Sequence, residues 1–347
     1  MTVPPIALAR LRKLRLEIGL DCALRCRHCS AFAAPGHPAG FPADRARGLV
    51  EEFAALGGEE LTLTGGEPFA YDLSRELLAL AKARGLRTAV FSSGVLRDHA
   101  GIHSIPTSLL TEAAATLDRV VVTLYAARPA AHEAITTVAG SHALALESIA
   151  RSLVAGVCTE IHFVPMHGAI DELPMIYSIA ASMGVAGIRV IRFVRHGRAS
   201  AEGGLRPSPD ELRRLAAAVE ELRGDGRVEM HVGSAFGFLV QFAPHCTAGV
   251  EEIVVSWDGT IYPCSGFAGY RGPEAIGNAL DTPLAEVWEH APFLTAMRAL
   301  IGARINGGGC EVGCPAQKAA IAGSIRDDVR DPDALDDLLP EDAGPIA

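Results

Sequence analysis

From Lys13 to about Arg198 the chain repeats one pattern, a short apolar run followed by an amphipathic stretch of helical length. The runs read "LRLEIGL", "ELTLTGG", "RTAVFSSG", "RVVVTLYA", "TEIHFVPMHG" and "GIRVIRFVRHG". Between them lie segments such as "SRELLALAKARG" and "SHALALESIARSLVAG", closed by Gly85 and Gly156, the residue type best suited to end a helix. Strands joined by helical crossovers run parallel. Six such units therefore predict an α/β chain on a parallel sheet, open or rolled into a barrel.

The pattern changes after residue 200. "SPDELRRLAAAVEELRGDG" reads as one helix with Ser208 and Glu211 as a capping box, Pro209 in the first turn and Gly224 at its end. Next come the hairpin-like pieces "VEMHVGSAF" and "EEIVVSWDGTIYPCSG", the second with Asp258-Gly259 as a tight-turn signal. This gives a division into residues 1–200, a bridging helix at 201–226, a smaller module at 227–330 and an acidic, turn-rich tail at 331–347.

With 347 residues, 49% of them hydrophobic and 21% charged, the chain has the size and composition of a globular protein with a sizeable core. No apolar run approaches the roughly 18 residues of a membrane span. The first twenty residues place their basic side chains after the apolar ones, the wrong order for a secretory signal, so a cytoplasmic protein is expected. A formal net charge of -10 argues against nucleic acid as partner. In a reducing compartment eight cysteines are read as metal ligands or catalytic groups, not disulfides.

Three of those cysteines, Cys22, Cys26 and Cys29, follow the first strand directly. They fall at the end of a parallel strand where active sites are built. Structural zinc wants four tetrahedral ligands, and His28 is the only neighbour to conscript. Three thiolates suit a 4Fe-4S cluster with one open iron.

The spacing C-x3-C-x2-C in "CALRCRHC" resembles the signature of radical S-adenosylmethionine (radical SAM) enzymes, and "TLTGGEPF" resembles the "GGE" motif of that family at the end of the second strand. The resemblance implies a partial (β/α)6 barrel with SAM chelated to the open iron. It implies that Gly65, Gly66, Glu67 and Pro68 hold the SAM amino group, glycine allowing close backbone approach and Glu67 offering an acceptor. It places Ser92 and Thr123 around SAM, Arg192 at its carboxylate, and His28 where the family has a ring near adenine. By themselves Ser92 and Thr123 are also strand-end caps and Arg192 a surface ion-pair partner.

Cys246, Cys264, Cys310 and Cys314 lie in the smaller module, among phrases such as "DGTIYPCSG" and "IGNALDTPLAEVW". These resemble the SPASM or Twitch extension of the same family. Four cysteines imply the shorter Twitch version with one auxiliary 4Fe-4S cluster, and a four-cysteine zinc site satisfies the same count.

In the family, reductive cleavage of SAM yields a 5'-deoxyadenosyl radical that takes a hydrogen atom from substrate, with an external low-potential donor of flavodoxin or ferredoxin type. Cys158, the cysteine left over, sits at the start of the fifth strand, remote from the site, and is read as a buried structural thiol. With no thiol hydrogen donor the expected outcome is net oxidation. Tyr125 is the candidate catalytic side chain, with packing as its other reading. Family members with this extension are mostly peptide maturases, which implies crosslink or thioether formation in a ribosomally made peptide. Dehydrogenation or epimerisation of a sugar or aminocyclitol is the alternative, and a non-catalytic iron-sulfur carrier the reading of another class. Only 21 residues precede Cys22, so a peptide substrate is expected to need a separate leader-binding protein or the body of this one.

Overall fold

The computed structural model of the chain describes residues 9–201, 203–270, 277–306, 313–323 and 325. Its strands are β1 (Lys13–Glu17), β2 (Glu60–Thr64), β3 (Arg87–Ser92), β4 (Val95–Asp98), β5 (Gly101–Ser104), β6 (Arg119–Thr123), β7 (Cys158–Phe163), β8 (Gly187–Val190), β9 (Glu229–Val232), β10 (Glu252–Val255) and β11 (Ile261–Tyr262). The helices are α1 (Ala43–Ala55), α2 (Asp72–Ala83), α3 (Thr107–Ala113), α4 (Pro129–Thr136), α5 (Ser141–Val154), α6 (Leu173–Met183), α7 (Pro209–Asp225), α8 (Leu284–His290), α9 (Pro292–Asn306) and α10 (Pro315–Ala322).

Nine strands share one sheet in the order β11-β10-β1-β2-β3-β6-β7-β8-β9, and β4 and β5 form a separate hairpin. All neighbours in the large sheet are parallel except β10 and β11. Its two edges do not pair with each other, yet inward-facing residues from β1 round to β9 line one cavity. The sheet is thus curled but unclosed, a partial barrel.

Period-two patterning explains its two faces. Leu14 and Leu16 are fully buried, whereas Lys13, Arg15 and Glu17 line the concave cavity. Helix α1 contributes Ala46, Leu49, Val50 and Phe53 to the same core, one helical stripe; each fully buried Leu, Val or Phe is worth roughly 1.5–3 kcal/mol. On the concave side, charges are paired. Arg15 meets Glu252 at 2.9 Å, Arg119 reaches Glu60 at 3.1 Å, and Arg189 bonds Glu160.

The structure corrects three local expectations. "VEMHVGSAF" does not form a hairpin: Glu229–Val232 is β9 and extends the barrel sheet parallel to β8, because its alternating apolar residues Met230 and Val232 join the core beside β8. Helix α7 runs past Gly224 and is capped by Gly226 in left-handed backbone (φ 72°). Cys158 is exposed, not buried, because it opens β7 at the barrel's rim. The capping box of Ser208 and Glu211 is present, and Asp258-Gly259 does turn a hairpin, with Gly259 at φ 82°.

The smaller module is tied to the barrel. Strand β10 pairs with β1, setting Leu14 opposite Ile253 and Leu16 opposite Val255. A second core, with Phe267, Tyr270 and Phe293 in ring contact, packs beside Cys246, Cys264 and Cys314. The acidic tail at 331–347 lies outside the described residues. Among those described, no helix is long and apolar enough to cross a membrane.

Candidate active site

The loop carrying Cys22, Cys26 and Cys29 is irregular, so its backbone polar groups need partners from elsewhere. From helix α4, Ile135 O and Thr136 O accept from Arg27 N (2.9 Å) and Arg25 N (3.2 Å). From beyond β8, Arg198 donates through Nε to Cys26 O and through Nη2 to Ala33 O, both at 2.8 Å, and its own N–H to Cys29 O at 3.0 Å. Gly197 makes that approach possible: its φ is 58° and a Cβ there would fall 2.4 Å from Cys29 O. Tyr71 Oη accepts from Asp21 N at 2.7 Å. None of these supports was singled out from sequence; each is chosen by contacts distant along the chain.

The thiols sit in apolar surroundings. Cys22 is 7% exposed among Leu20, Ala23, Leu24 and Val95, and Cys26 packs beside Val164 and Phe193. Burial, with the neighbouring Cys29, pushes the Cys26 thiol up to about 12, against the pull of Tyr125 and Arg198. Burial and the adjacent Glu67, Cys26 and Cys29 push Cys22 higher still. Such thiols lose their protons to a metal centre and not to water. Among the described residues no three Cys, His, Asp or Glu converge on a single-ion site, where a zinc ion would draw sulfurs to roughly 3.8 Å of each other. Three thiol donors that line one cavity fit an iron-sulfur cluster with one open iron.

The "GGE" turn packs against this loop. Gly66 N donates to Gly19 O at 2.7 Å and Glu67 N to Asp21 O at 2.8 Å. A Cβ on Gly65 would lie 2.5 Å from Gly19 O, and one on Gly66 would lie 2.1 Å from Asp21 O. These glycines therefore let two strand ends of the protein meet, a reason the sequence did not disclose. Both line the cavity. Glu67 is fully buried, and its carboxylate accepts from Ser92 Oγ (2.9 Å), Ser93 N (2.8 Å), Ser93 Oγ (2.6 Å) and Phe69 N (3.2 Å). Burial pushes its carboxyl up and these donors work against that. The hydroxyl of Ser92 is turned to Glu67, and Pro68, itself buried, begins the short turn Pro68–Ala70. Ser93, unmarked by the sequence reading although adjacent in "FSSG", completes the set.

Thr123 ends β6 on the cavity wall. Tyr125 follows it, 7% exposed, with its hydroxyl 3.8 Å from Cys26 Sγ and its ring edge-on to His28 at 4.8 Å. Burial and the nearby Arg198 and His196 push His28 down to about 4, so its ring is neutral near pH 7. Arg192 lines the same cavity, held by Ala235 O at 3.2 Å and lying over the Phe238 ring. Deeper in the barrel stands His162, unmarked in the sequence, stacked edge-on to Phe91 and pushed down to about 3 by burial and by Arg189, Arg15 and Arg119.

The cavity, about 1010 Å³, also reaches Cys264 and Cys314. Burial and the proximity of Cys314 and Cys246 push the Cys264 thiol well up, so three cysteines of the later set are neighbours. Cys310 lies outside the described residues. His196, two residues before Arg198, connects the two cysteine regions: its Nε2 bonds the carbonyl of Ser265, the neighbour of Cys264, at 3.0 Å.

These features define an enzyme of the radical SAM class, and the sequence profile of the radical SAM superfamily matches residues 16–176. The SPASM profile, an iron-sulfur cluster-binding domain, matches residues 246–315, so the chain belongs to the radical SAM superfamily and carries a SPASM domain. It is 23% identical to the AdoMet-dependent heme synthase of Methanosarcina barkeri, covering 90% of this chain and 93% of that one. To the PqqA peptide cyclase of Methylobacterium nodulans it is 25% identical, covering 89% and 83%. Among solved structures, SuiB of Streptococcus suis bound to S-adenosylmethionine shares the fold with a TM-score of 0.73 at 16% identity, over 94% of this chain and 78% of SuiB.

Proposed function

We propose that this protein is a radical SAM peptide maturase that oxidatively modifies an unactivated C–H bond, forming a crosslink or thioether in a ribosomally made peptide. The observation that carries the reading is the single cavity on which Cys22, Cys26, Cys29, Gly65, Gly66, Cys264 and Cys314 all open. The cysteine loop, the Gly65-Gly66 turn and two of the later cysteines thus share one space, which supports a site where SAM, a cluster and substrate meet. The curated peptide cyclases and the SuiB structure bound to precursor peptide SuiA support a peptide as substrate.

In this reading Cys22, Cys26 and Cys29 hold a 4Fe-4S cluster, and Cys246, Cys264, Cys310 and Cys314 hold an auxiliary one in a Twitch-type arrangement. When bound, these groups supply reductive cleavage of SAM, hydrogen-atom abstraction and an electron acceptor. The chain's own residues bind and orient. Gly65 and Gly66 present backbone to the SAM ammonium, Glu67 and Ser92 fix that turn from behind, Arg192 faces the SAM carboxylate, and Thr123 and His28 border the nucleoside. Val164 and Phe193 keep water from the Cys26 side. An external low-potential flavodoxin or ferredoxin supplies the electron, and the leader of the peptide is recognised by a separate protein or by the body of this one.

The near full-length match to heme synthases favours a second reading, in which a heme precursor occupies the cavity. The test is anaerobic reconstitution and dithionite reduction, with iron, sulfide and 5'-deoxyadenosine measured for the wild type and Cys26→Ala. About eight irons and Cys26-dependent 5'-deoxyadenosine are expected for two 4Fe-4S clusters. Addition of a precursor peptide encoded beside the gene should then raise 5'-deoxyadenosine and give a peptide lighter by two hydrogens. Stimulation by a porphyrin and not by peptide would overturn the peptide reading, and a loaded protein that never cleaves SAM would overturn the enzyme.

A further inference from the structure

Of the three loop thiols, two carry a hydrogen-bond donor of different kinds. Leu24 N donates to Cys22 Sγ at 3.4 Å, a backbone contact that no side-chain change deletes. Cys26 Sγ instead faces the hydroxyl of Tyr125 at 3.8 Å, within the longer reach that sulfur allows. The tyrosine is not free to turn away. Its ring is 7% exposed, its edge meets His28, its backbone N–H donates to His132 Nδ1 at 3.2 Å, and the His132 ring lies 5.4 Å away. The sulfur is fixed as well, since Arg198 holds the Cys26 carbonyl.

A cysteine thiolate bound to iron accepts hydrogen bonds and donates none, so a phenol against it must donate. Donation to a ligating sulfur withdraws electron density from the cluster and favours the reduced state, which raises the reduction potential. We propose that Tyr125 is a positioning residue that raises the reduction potential of the SAM-binding cluster through its hydroxyl on Cys26 Sγ. This rests on the reading that Cys22, Cys26 and Cys29 hold that cluster. The hydroxyl then lowers the demand on the external donor, and the ring need not touch substrate at all.

The test uses the full chain with both clusters reconstituted. The reduced cluster whose electron paramagnetic resonance signal responds to SAM is titrated potentiometrically in the wild type, Tyr125→Phe and a chain with 3-fluorotyrosine at position 125, a stronger donor of nearly the same shape. The expected result is a midpoint shifted down in Tyr125→Phe and up in the fluorinated chain, at unchanged iron content. An exchangeable-proton coupling to the signal should also be lost in Tyr125→Phe. Should Tyr125→Phe fail to load iron, the fluorinated chain alone decides. A Cys26-dependent signal with the same midpoint in every loaded form overturns the role of Tyr125 while leaving the cluster assignment standing. A SAM-responsive signal that persists in Cys26→Ala overturns both.

Discussion

At the scale of single residues, Gly66 shows how a motif can be read correctly for an incomplete reason. The pair Gly65-Gly66 marks a strand end that approaches a ligand closely, but the tightest approach in the structure is to the chain's own loop, with Asp21 O 2.1 Å from where a Gly66 Cβ would stand. Any side chain there must part the Gly66–Gly19 and Glu67–Asp21 hydrogen bonds. Gly66→Ala is expected to cost about 1–3 kcal/mol, as overpacking does. The strain falls on the cysteine loop, so under the proposed two-cluster loading iron should drop from about eight toward about four per chain, the share of one 4Fe-4S cluster, and SAM cleavage should disappear. Circular dichroism that stays near wild type, with iron analysis beside it, checks this. Unchanged loading would mean that the loop yields where the packing says it cannot.

At the scale of elements, helix α7 was legible because its signals are local: Ser208, Pro209 and Glu211 lie within four positions. What the sequence could not show is that Glu211 serves a second element. Its carboxylate also accepts from Gly168 N at 2.8 Å and bonds His167 Nδ1 at 2.9 Å, anchoring the loop between β7 and α6. Burial pushes this carboxyl up, but the hydrogen bonds from Gly168, Ser208 and His167 outweigh it and hold it at about 2. A folded value below the unfolded one stabilises the protein above the unfolded value of roughly 4.3, and that contribution fades as pH falls toward 2. Glu211→Gln should therefore lower stability at pH 7 and flatten its decline between pH 4.5 and 2. Urea denaturation of the metal-free chain across that range measures the slope. Ser208→Ala, which removes only the cap, should cost about 1 kcal/mol and leave most of the pH dependence in place.

At the scale of the whole molecule, local grammar reaches its limit. The six barrel strands and the cysteine spacings could be read because each is a short-range pattern, whereas the partner of a strand is not written beside it. "EEIVVSW" reads as half of a hairpin, and it is one; nothing in those residues says that its other edge pairs with β1, some 240 positions earlier. Likewise Gly197 and Arg198 carry no local mark of the loop they clamp. The consequence concerns independence. The main apolar core contains Leu14, Leu16 and Phe53 together with Val228, Val232, Ile253, Val255, Leu284 and Trp288, so it runs on across residue 227. Helix α1 also depends on the later chain: Glu52 accepts from Leu284 N at 2.6 Å, and Arg45 donates to Ala279 O. A fragment of residues 1–226 would leave β1 as an unpaired edge, with its N–H and C=O groups open to association, and would strip one side of the core. It should lack a cooperative thermal transition and associate at micromolar concentration, while the full chain melts as one unit. Calorimetry and light scattering on the two chains decide the matter. If the fragment melts cooperatively as a monomer, the barrel closes its own core and the seam between β1 and β10 serves only to place the auxiliary cysteines over the cavity.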